Sequence, residues 1–126
     1  MDYREFIQDI KALEFIEDED TADAAIKAVL GILSSSLEEE DARRITGVLP
    51  APLDIVKLRG HQVRPTNVSY DECLTEVAQQ FNMDNEHARL LTDAVLRSTR
   101  AALGGEKLAE VEDILPESWR SAIEYA

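Results

Sequence analysis

Two runs of consecutive carboxylates are the residues of this chain whose type and spacing could do chemistry. The first is Glu17-Asp18-Glu19-Asp20, with Asp23 one helical turn later, and the second is Glu38-Glu39-Glu40-Asp41. Neighbouring carboxylates repel each other unless a cation joins them, and Ca²⁺ takes about six to eight oxygen ligands. We therefore predict calcium sites at both runs. The predicted metal ligands are Glu38, Glu39, Glu40, Asp41, Glu17, Asp18, Asp20 and Asp23.

Helix capping is the competing interpretation of the same side chains. Acidic residues in the first turn of a helix offset the positive end of the helix dipole. Ser36 with Glu39 fits a capping box, and Asp20 with Asp23 resembles one. Capping accounts for one or two acids in each run but not for four, so both interpretations stay open.

The remaining reactive side chains form no recognisable catalytic or zinc pattern. No EF-hand is present, because a loop starting at Asp18 reaches Val29 where the last position requires a glutamate. Cys73 falls on the apolar face of a predicted helix and is predicted to be a core residue. His61 and His87 have no spacing that suits a zinc site or a cysteine–histidine pair. We predict that the protein is not an enzyme.

The elements that must position these side chains occur twice in the chain. Residues 3–58 and 70–125 carry one pattern, and residues 59–69 form a linker between them. The matching segments are Tyr3 with Tyr70, Ala28-Val29-Leu30 with Ala94-Val95-Leu96, and Leu49-Pro50 with Leu115-Pro116. The pattern indicates a duplicated helical unit, since its period is longer than that of solenoid repeats.

Apolar residues recur at intervals of three and four in both halves, which is typical of helices. The predicted helices cover residues 3–13, 21–34, a short segment after 36, 70–81, 84–103, 106–114 and the segment after 116. Trp119 and Tyr125 are predicted to close the core. We predict an all-α fold: a compact helical bundle, residues 1–126 as a single domain, built from two tandem, pseudo-symmetric helical repeats.

Charge restricts the classes of partner. The chain has 26 acidic and 13 basic residues and a net charge of −13, which argues against binding nucleic acid. No apolar run approaches the ~18 residues of a membrane span, so we expect a soluble, cytoplasmic protein without membrane contact. Residues 57–69 hold three bases and no acid; this basic segment either neutralises the acidic body locally or docks a partner.

The repeated frame resembles a bacterial family of two-repeat helical domains of unknown function. The matching residues are Tyr3, Phe6, Ile7, Ala28, Val29, Leu30, Leu49 and Pro50, and in the second half Tyr70, Leu74, Ala94, Val95, Leu96, Leu115 and Pro116. This resemblance implies an all-helical fold and supplies no catalytic residue. In size and acidity the chain is also similar to the small acidic non-EF-hand calcium-binding proteins of filamentous cyanobacteria. That second resemblance implies cytoplasmic calcium buffering or signalling.

Two functions follow from these observations. The first is a non-EF-hand calcium-binding protein, a buffer or sensor, that holds Ca²⁺ in acidic loops at helix N-termini. The alternative is an acidic protein–protein interaction module without metal, whose partner is a basic protein.

Overall fold

The computed structural model describes residues 2–54, 58 and 67–126, and within these residues it contains helices and no strand. In chain order the helices are α1 Tyr3–Lys11, α2 Glu19–Ser35, α3 Glu39–Thr46, α4 Tyr70–Gln80, α5 Asn85–Ile114 and α6 Glu117–Tyr125. The prediction of an all-helical fold is confirmed for the described part of the chain.

Helix α1 shows how the sequence specifies each element. Asp2 caps its first turn, accepting a hydrogen bond from the backbone N–H of Glu5 at 3.0 Å. Phe6, Ile7 and Ile10 share one face at three-and-four spacing and are buried. Because that face is apolar and the other is charged, α1 must lie on the surface of a larger core.

Helix α5 organises the packing. It contacts α1, α2, α3, α4 and α6, while α2 contacts α1, α3, α4 and α5, and α6 also packs on α4. Leu91, Val95 and Leu96 of α5 are fully buried, and so is Trp119 of α6. The buried apolar residues of all six helices belong to one continuous core. The helices that carry the two acidic runs are therefore held in place by one common hydrophobic core.

Helix α5 joins two helices that the sequence predicts separately, 84–103 and 106–114. The predicted boundary between them is observed as a kink, because Gly104 has φ 76° and ψ 172° inside the otherwise helical segment. Only glycine adopts this backbone region readily, since it has no Cβ.

The caps of α2 and α3 differ from the predicted ones. Asp18, not Asp20, is the N-cap of α2. Glu38 holds the N-cap position of α3, whereas Ser36 ends α2 and donates its hydroxyl to the carbonyl of Ile32 at 2.8 Å. The prediction that Ser36 caps α3 is wrong because Ser36 is the C-cap of α2, and the turn into α3 begins after it.

One capping box is present where none was predicted, at the end of the predicted linker. Ser69 accepts from the backbone N–H of Glu72 at 3.2 Å, and the Glu72 carboxylate accepts from the N–H of Ser69 at 3.1 Å. The start of helix α4 is thus specified by its own local sequence.

Burial confirms one aromatic prediction and corrects another. Trp119 is fully buried, as predicted, but the prediction that Tyr125 closes the core is wrong, because its side chain is 82% exposed. Trp119 and Ile123 occupy the buried face of α6, and a residue two positions after Ile123 points away from that face. Cys73 is fully buried, which confirms it as a core residue.

Several predictions fall outside the described residues. These are His61 and the three bases of the segment 57–69.

No helix in the described ranges combines the length and the apolar character needed to cross a membrane.

Candidate functional site

The first acidic run borders a cavity between the start of α1 and the first turns of α2. The cavity has a volume of about 440 Å³. Its lining residues are Tyr3, Arg4, Ile7 and Gln8 of α1 and Glu19, Asp20 and Asp23 of α2. One wall therefore offers aromatic and aliphatic surface, and the other offers three carboxylates.

Asp23 is held in place from two sides. The hydroxyl of Tyr3 donates a hydrogen bond to one carboxylate oxygen, and the ammonium group of Lys27 lies 3.0 Å from the other. Burial alone would raise the pKa of Asp23, but these two donors outweigh it and hold the pKa below its ordinary value. Burial and the hydrogen bond to Asp23 together raise the pKa of Tyr3. Asp23 is thus a structural carboxylate that joins α1 to α2, with one donor on each of its oxygens.

The neighbouring acids of this run have different surroundings. Asp18 accepts from the backbone N–H of Thr21 at 2.7 Å, and this bond lowers the pKa of the Asp18 carboxyl. Glu19 reaches Lys11 only loosely, at 3.9 Å. Glu17 and Asp20 are exposed and make no ion pair with any described residue. The structure thus brings Asp20 and Asp23 to one cavity and directs Asp18 into a cap.

The second acidic run, at the start of α3, is spread along its helix. Glu39 pairs with Arg43 at 3.1 Å and Glu40 pairs with Arg44 at 3.9 Å, both one turn later. Glu38 stands at the N-cap without a side-chain hydrogen bond, and Asp41 is half-buried. Within the described residues, Glu38 and Asp41 are the members of this run without an ion pair.

The two acidic runs lie at opposite ends of α2, a helix of 17 residues and hence roughly 25 Å long. The two runs are therefore too far apart to share one ion. Across the ranges 2–54, 58 and 67–126, no three His, Cys, Asp or Glu side chains are grouped closely enough to hold a metal ion.

The first turn of α5 contacts the loop between α1 and α2. The ring of Phe15, in the α1–α2 loop, contacts the imidazole of His87 edge-on, with ring centroids 4.6 Å apart. His87 lies in the first turn of α5 beside Asp84, which caps that helix and accepts from the His87 N–H at 2.8 Å. The start of α5 therefore lies beside the α1–α2 loop, and Glu86 in that turn is paired with Arg89 at 3.0 Å.

A second tyrosine–aspartate pair lies in the other half of the chain. The hydroxyl of Tyr70 donates to Asp93, as that of Tyr3 donates to Asp23. A cavity of about 350 Å³ adjoins it, lined also by Arg89 and by residues of α6. Each cavity is lined by one arginine, but this one contains a single carboxylate where the first contains three.

Sequence reasoning missed the α1 side of the first cavity. Tyr3 was noticed only because it marks the repeat, and Ile7 only as an apolar position. Their proximity to Asp20 depends on how α1 packs against α2, for which the residue spacing contains no signal.

A protein family described as "Uncharacterized conserved protein (DUF2267)" matches residues 3–122. No curated protein and no solved structure shows a significant match to the chain.

Proposed function

Since this chain belongs to the uncharacterised DUF2267 family, we propose from its site alone that it is an acidic protein-interaction module whose partner presents a basic segment. The observation that supports this proposal is the cavity between α1 and α2, where apolar surface from Tyr3 and Ile7 faces the carboxylates of Glu19 and Asp20. The proposed role is binding without catalysis.

A lysine or arginine side chain matches this cavity in shape and charge. Its aliphatic stem would lie along Tyr3 and Ile7, and its cationic head would reach Glu19 and Asp20. Asp20 makes no ion pair with a described residue and Glu19 makes only a long one, so both carboxylates are available. The negative charge of Asp23 would also attract the cationic head, while the hydrogen bond from Tyr3 to Asp23 stays in place.

Arg4 also lines the cavity and makes no ion pair with a described residue. Its positive charge would oppose an incoming cation, which makes it a useful test of the proposal. Removing Asp20's charge should weaken binding, and removing Arg4's charge should strengthen it.

The experiment measures fluorescence anisotropy of a labelled short peptide of lysine and arginine as protein is added. Exposed charge pairs contribute about 0.2–1 kcal/mol, so Asp20→Asn should weaken binding roughly 1.4- to fivefold and Arg4→Ala should tighten it by a similar factor. Glu106→Gln, which neutralises an exposed acid in the kinked part of α5, is the matched control. Affinity should fall as salt is raised.

Two results would contradict the proposal in different ways. Equal effects of Asp20→Asn and Glu106→Gln would mean that the cavity is not the binding site and that only net charge matters. An absence of peptide binding even at low salt would refute the basic-partner function itself.

Calcium binding is the second proposal, and it stays a prediction. It is supported by Glu38 and Asp41, two carboxylates of one run that make no ion pair within the described residues. The positive end of the α3 dipole opposes it, because that end favours anions. The pairing of Glu39 and Glu40 with arginines also leaves fewer oxygens available.

Calorimetric titration of Ca²⁺ into chelator-treated protein, with millimolar Mg²⁺ throughout, tests this second proposal. Saturable binding that disappears when Glu38 and Glu39 are both replaced by glycine would support the site. A flat trace would remove calcium from consideration and leave the interaction module.

We also propose that the two halves of the chain are related by duplication and pack with pseudo-symmetry. The observations in favour are the two tyrosine–aspartate pairs, each joining the first helix of its half to the second. In the alignment with an offset of 66, Asp23 and Lys27 fall on Arg89 and Asp93. The acid and the base have exchanged places, yet each tyrosine still meets a carboxylate.

We expect the module to work in the cytoplasm. Cys73 is a lone thiol, and burial, with a smaller contribution from Glu76, raises its pKa to about 12. An unreactive, unpaired cysteine is suited to a reducing compartment.

A further inference from the structure

A second surface, away from the acidic end, has the features of a protein contact. Helices α1 and α5 form a groove of about 370 Å³, lined by Asp9 and Ala12 of α1 and by Ala94, Arg97, Ser98 and Ala101 of α5. Leu90 stands one turn before Ala94 on the same helix and is 41% exposed. Within the described residues, Leu90 and Tyr125 are the exposed large apolar side chains.

The charges of this groove are left unmatched within the chain. Asp9, on the α1 wall, accepts from the hydroxyl of Ser98 at 3.0 Å. Arg97, on the α5 wall, forms neither an ion pair nor a hydrogen bond with any described residue. Most other described bases are paired with carboxylates or backbone carbonyls; Arg4 and Arg97 are not. An unpaired arginine in so acidic a chain is a candidate interface residue, since arginine is enriched at protein contacts.

We propose that this groove is the interface of a two-fold symmetric dimer of the chain. The argument is self-complementarity: one wall carries a carboxylate and the other a guanidinium, and the two are not within 4.0 Å of each other in one copy. A two-fold axis over the groove sets Arg97 of each copy against Asp9 of the other, and so makes both pairs at once. The small side chains of Ala12, Ala94 and Ala101 permit close approach, and Leu90 is covered by the second copy.

The net charge limits the strength of the contact. Each copy carries −13, so two copies repel each other at long range. The Asp9–Arg97 pairs therefore fix orientation more than they supply affinity, and the dimer should be weak and reversible. It should be observed near physiological salt, where the Debye length is about 8 Å.

Sedimentation equilibrium of the full chain, up to about 0.3 mM, tests the proposal; a dimer with Kd near 0.1 mM would be well populated there. Arg97→Glu and Asp9→Arg should each weaken dimerisation at least tenfold, because each sets like charges against each other. The double variant Asp9→Arg/Arg97→Glu should restore it, since the pairs are re-formed with reversed sign. Arg4→Glu, the same change at the other unpaired arginine, should leave the dimer intact.

Three outcomes would overturn the inference. They are a monomeric parent chain at all concentrations, a single variant that dimerises like the parent, and a folded double variant that stays monomeric. Thermal melts establish that each variant is folded. Because Asp9→Arg also removes the Ser98 hydrogen bond, Leu90→Asp provides a second test at an exposed position that has no such bond, and it too should produce monomers. Failure of this test does not touch the basic-partner proposal, which concerns the α1–α2 cavity.

Discussion

At the residue scale, the partners of each carboxylate decide what it can do. Asp18 is occupied by a cap and Asp23 by Tyr3 and Lys27. Glu39 is paired with an arginine one turn away, whereas Asp20 is not paired with any described residue. Adjacent acids in the sequence therefore have unequal roles, and only a few are available to a ligand.

Replacement of Tyr3 by Phe tests the hydrogen bond to Asp23 while preserving the ring beside Phe6. We expect a loss of about 1 kcal/mol of unfolding free energy, low for a bond to a charged group because the carboxylate is partly exposed. The pKa of Asp23 is lowered in the folded state, so its contribution is present above the unfolded value of about 3.9 and disappears as pH falls through the folded value.

The measurement is denaturant unfolding of the parent and Tyr3→Phe chains between about pH 7 and pH 3. The stability difference should be constant near neutrality and shrink in acid. A difference that persists unchanged at the acid end would show that the hydroxyl acts through something other than the ionised Asp23.

At the element scale, glycine determines the shape of α5. Gly104 adopts φ 76° and ψ 172° and turns the last ten residues of the helix, while Gly105 has helical geometry. A Cβ added at either position would meet no atom within 4 Å. Any difference between the two substitutions therefore comes from the backbone conformation and not from steric clashes.

The two alanine substitutions should act in opposite directions. Gly104→Ala should destabilise the protein by about 1–3 kcal/mol, because that backbone region is nearly restricted to glycine. Gly105→Ala should stabilise it by roughly 0.5–1 kcal/mol, since alanine is the better helix former. Thermal unfolding of both variants decides the point, and equal shifts would mean that the kink is not retained in solution.

At the scale of the whole molecule, the core joins the two halves of the chain. The carbonyl of Val68 accepts from the indole N–H of Trp119 at 2.9 Å and lies 3.1 Å from the Ser36 hydroxyl, whose single proton is shared with the carbonyl of Ile32. Ser36 ends α2 and Trp119 belongs to α6, so one backbone group just before α4 connects elements distant in sequence. Both halves also contribute to one apolar cluster.

Such a shared core predicts a single cooperative unfolding transition. The fluorescence of Trp119, the only tryptophan, reports on the second half, and far-ultraviolet circular dichroism reports on all helices. The two melting curves should coincide, as two-state unfolding requires. A circular-dichroism transition that precedes the fluorescence change would show that the first half unfolds independently.

Much of the fold could be predicted from the sequence because helices are encoded locally. The spacing of Phe6, Ile7 and Ile10 predicts α1, and Gly104-Gly105 lies at the predicted break in α5. The errors also arose locally: Ser36 was placed in a cap, and Tyr125 in the core. A residue near a helix end has several possible partners, and local spacing does not choose among them.

The candidate site was only half predictable. The sequence by itself determined seven helical segments, two of which join as the kinked α5, together with their apolar faces and the excess of acid at the start of α2 and α3. Only the tertiary structure decided that Tyr3 and Ile7 face Asp20, that Phe15 meets His87, and that Arg97 is left without a partner in the α1–α5 groove. The reason is physical: periodicity along one helix fixes which residues share a face, whereas contacts between helices depend on how side chains of distant segments pack together.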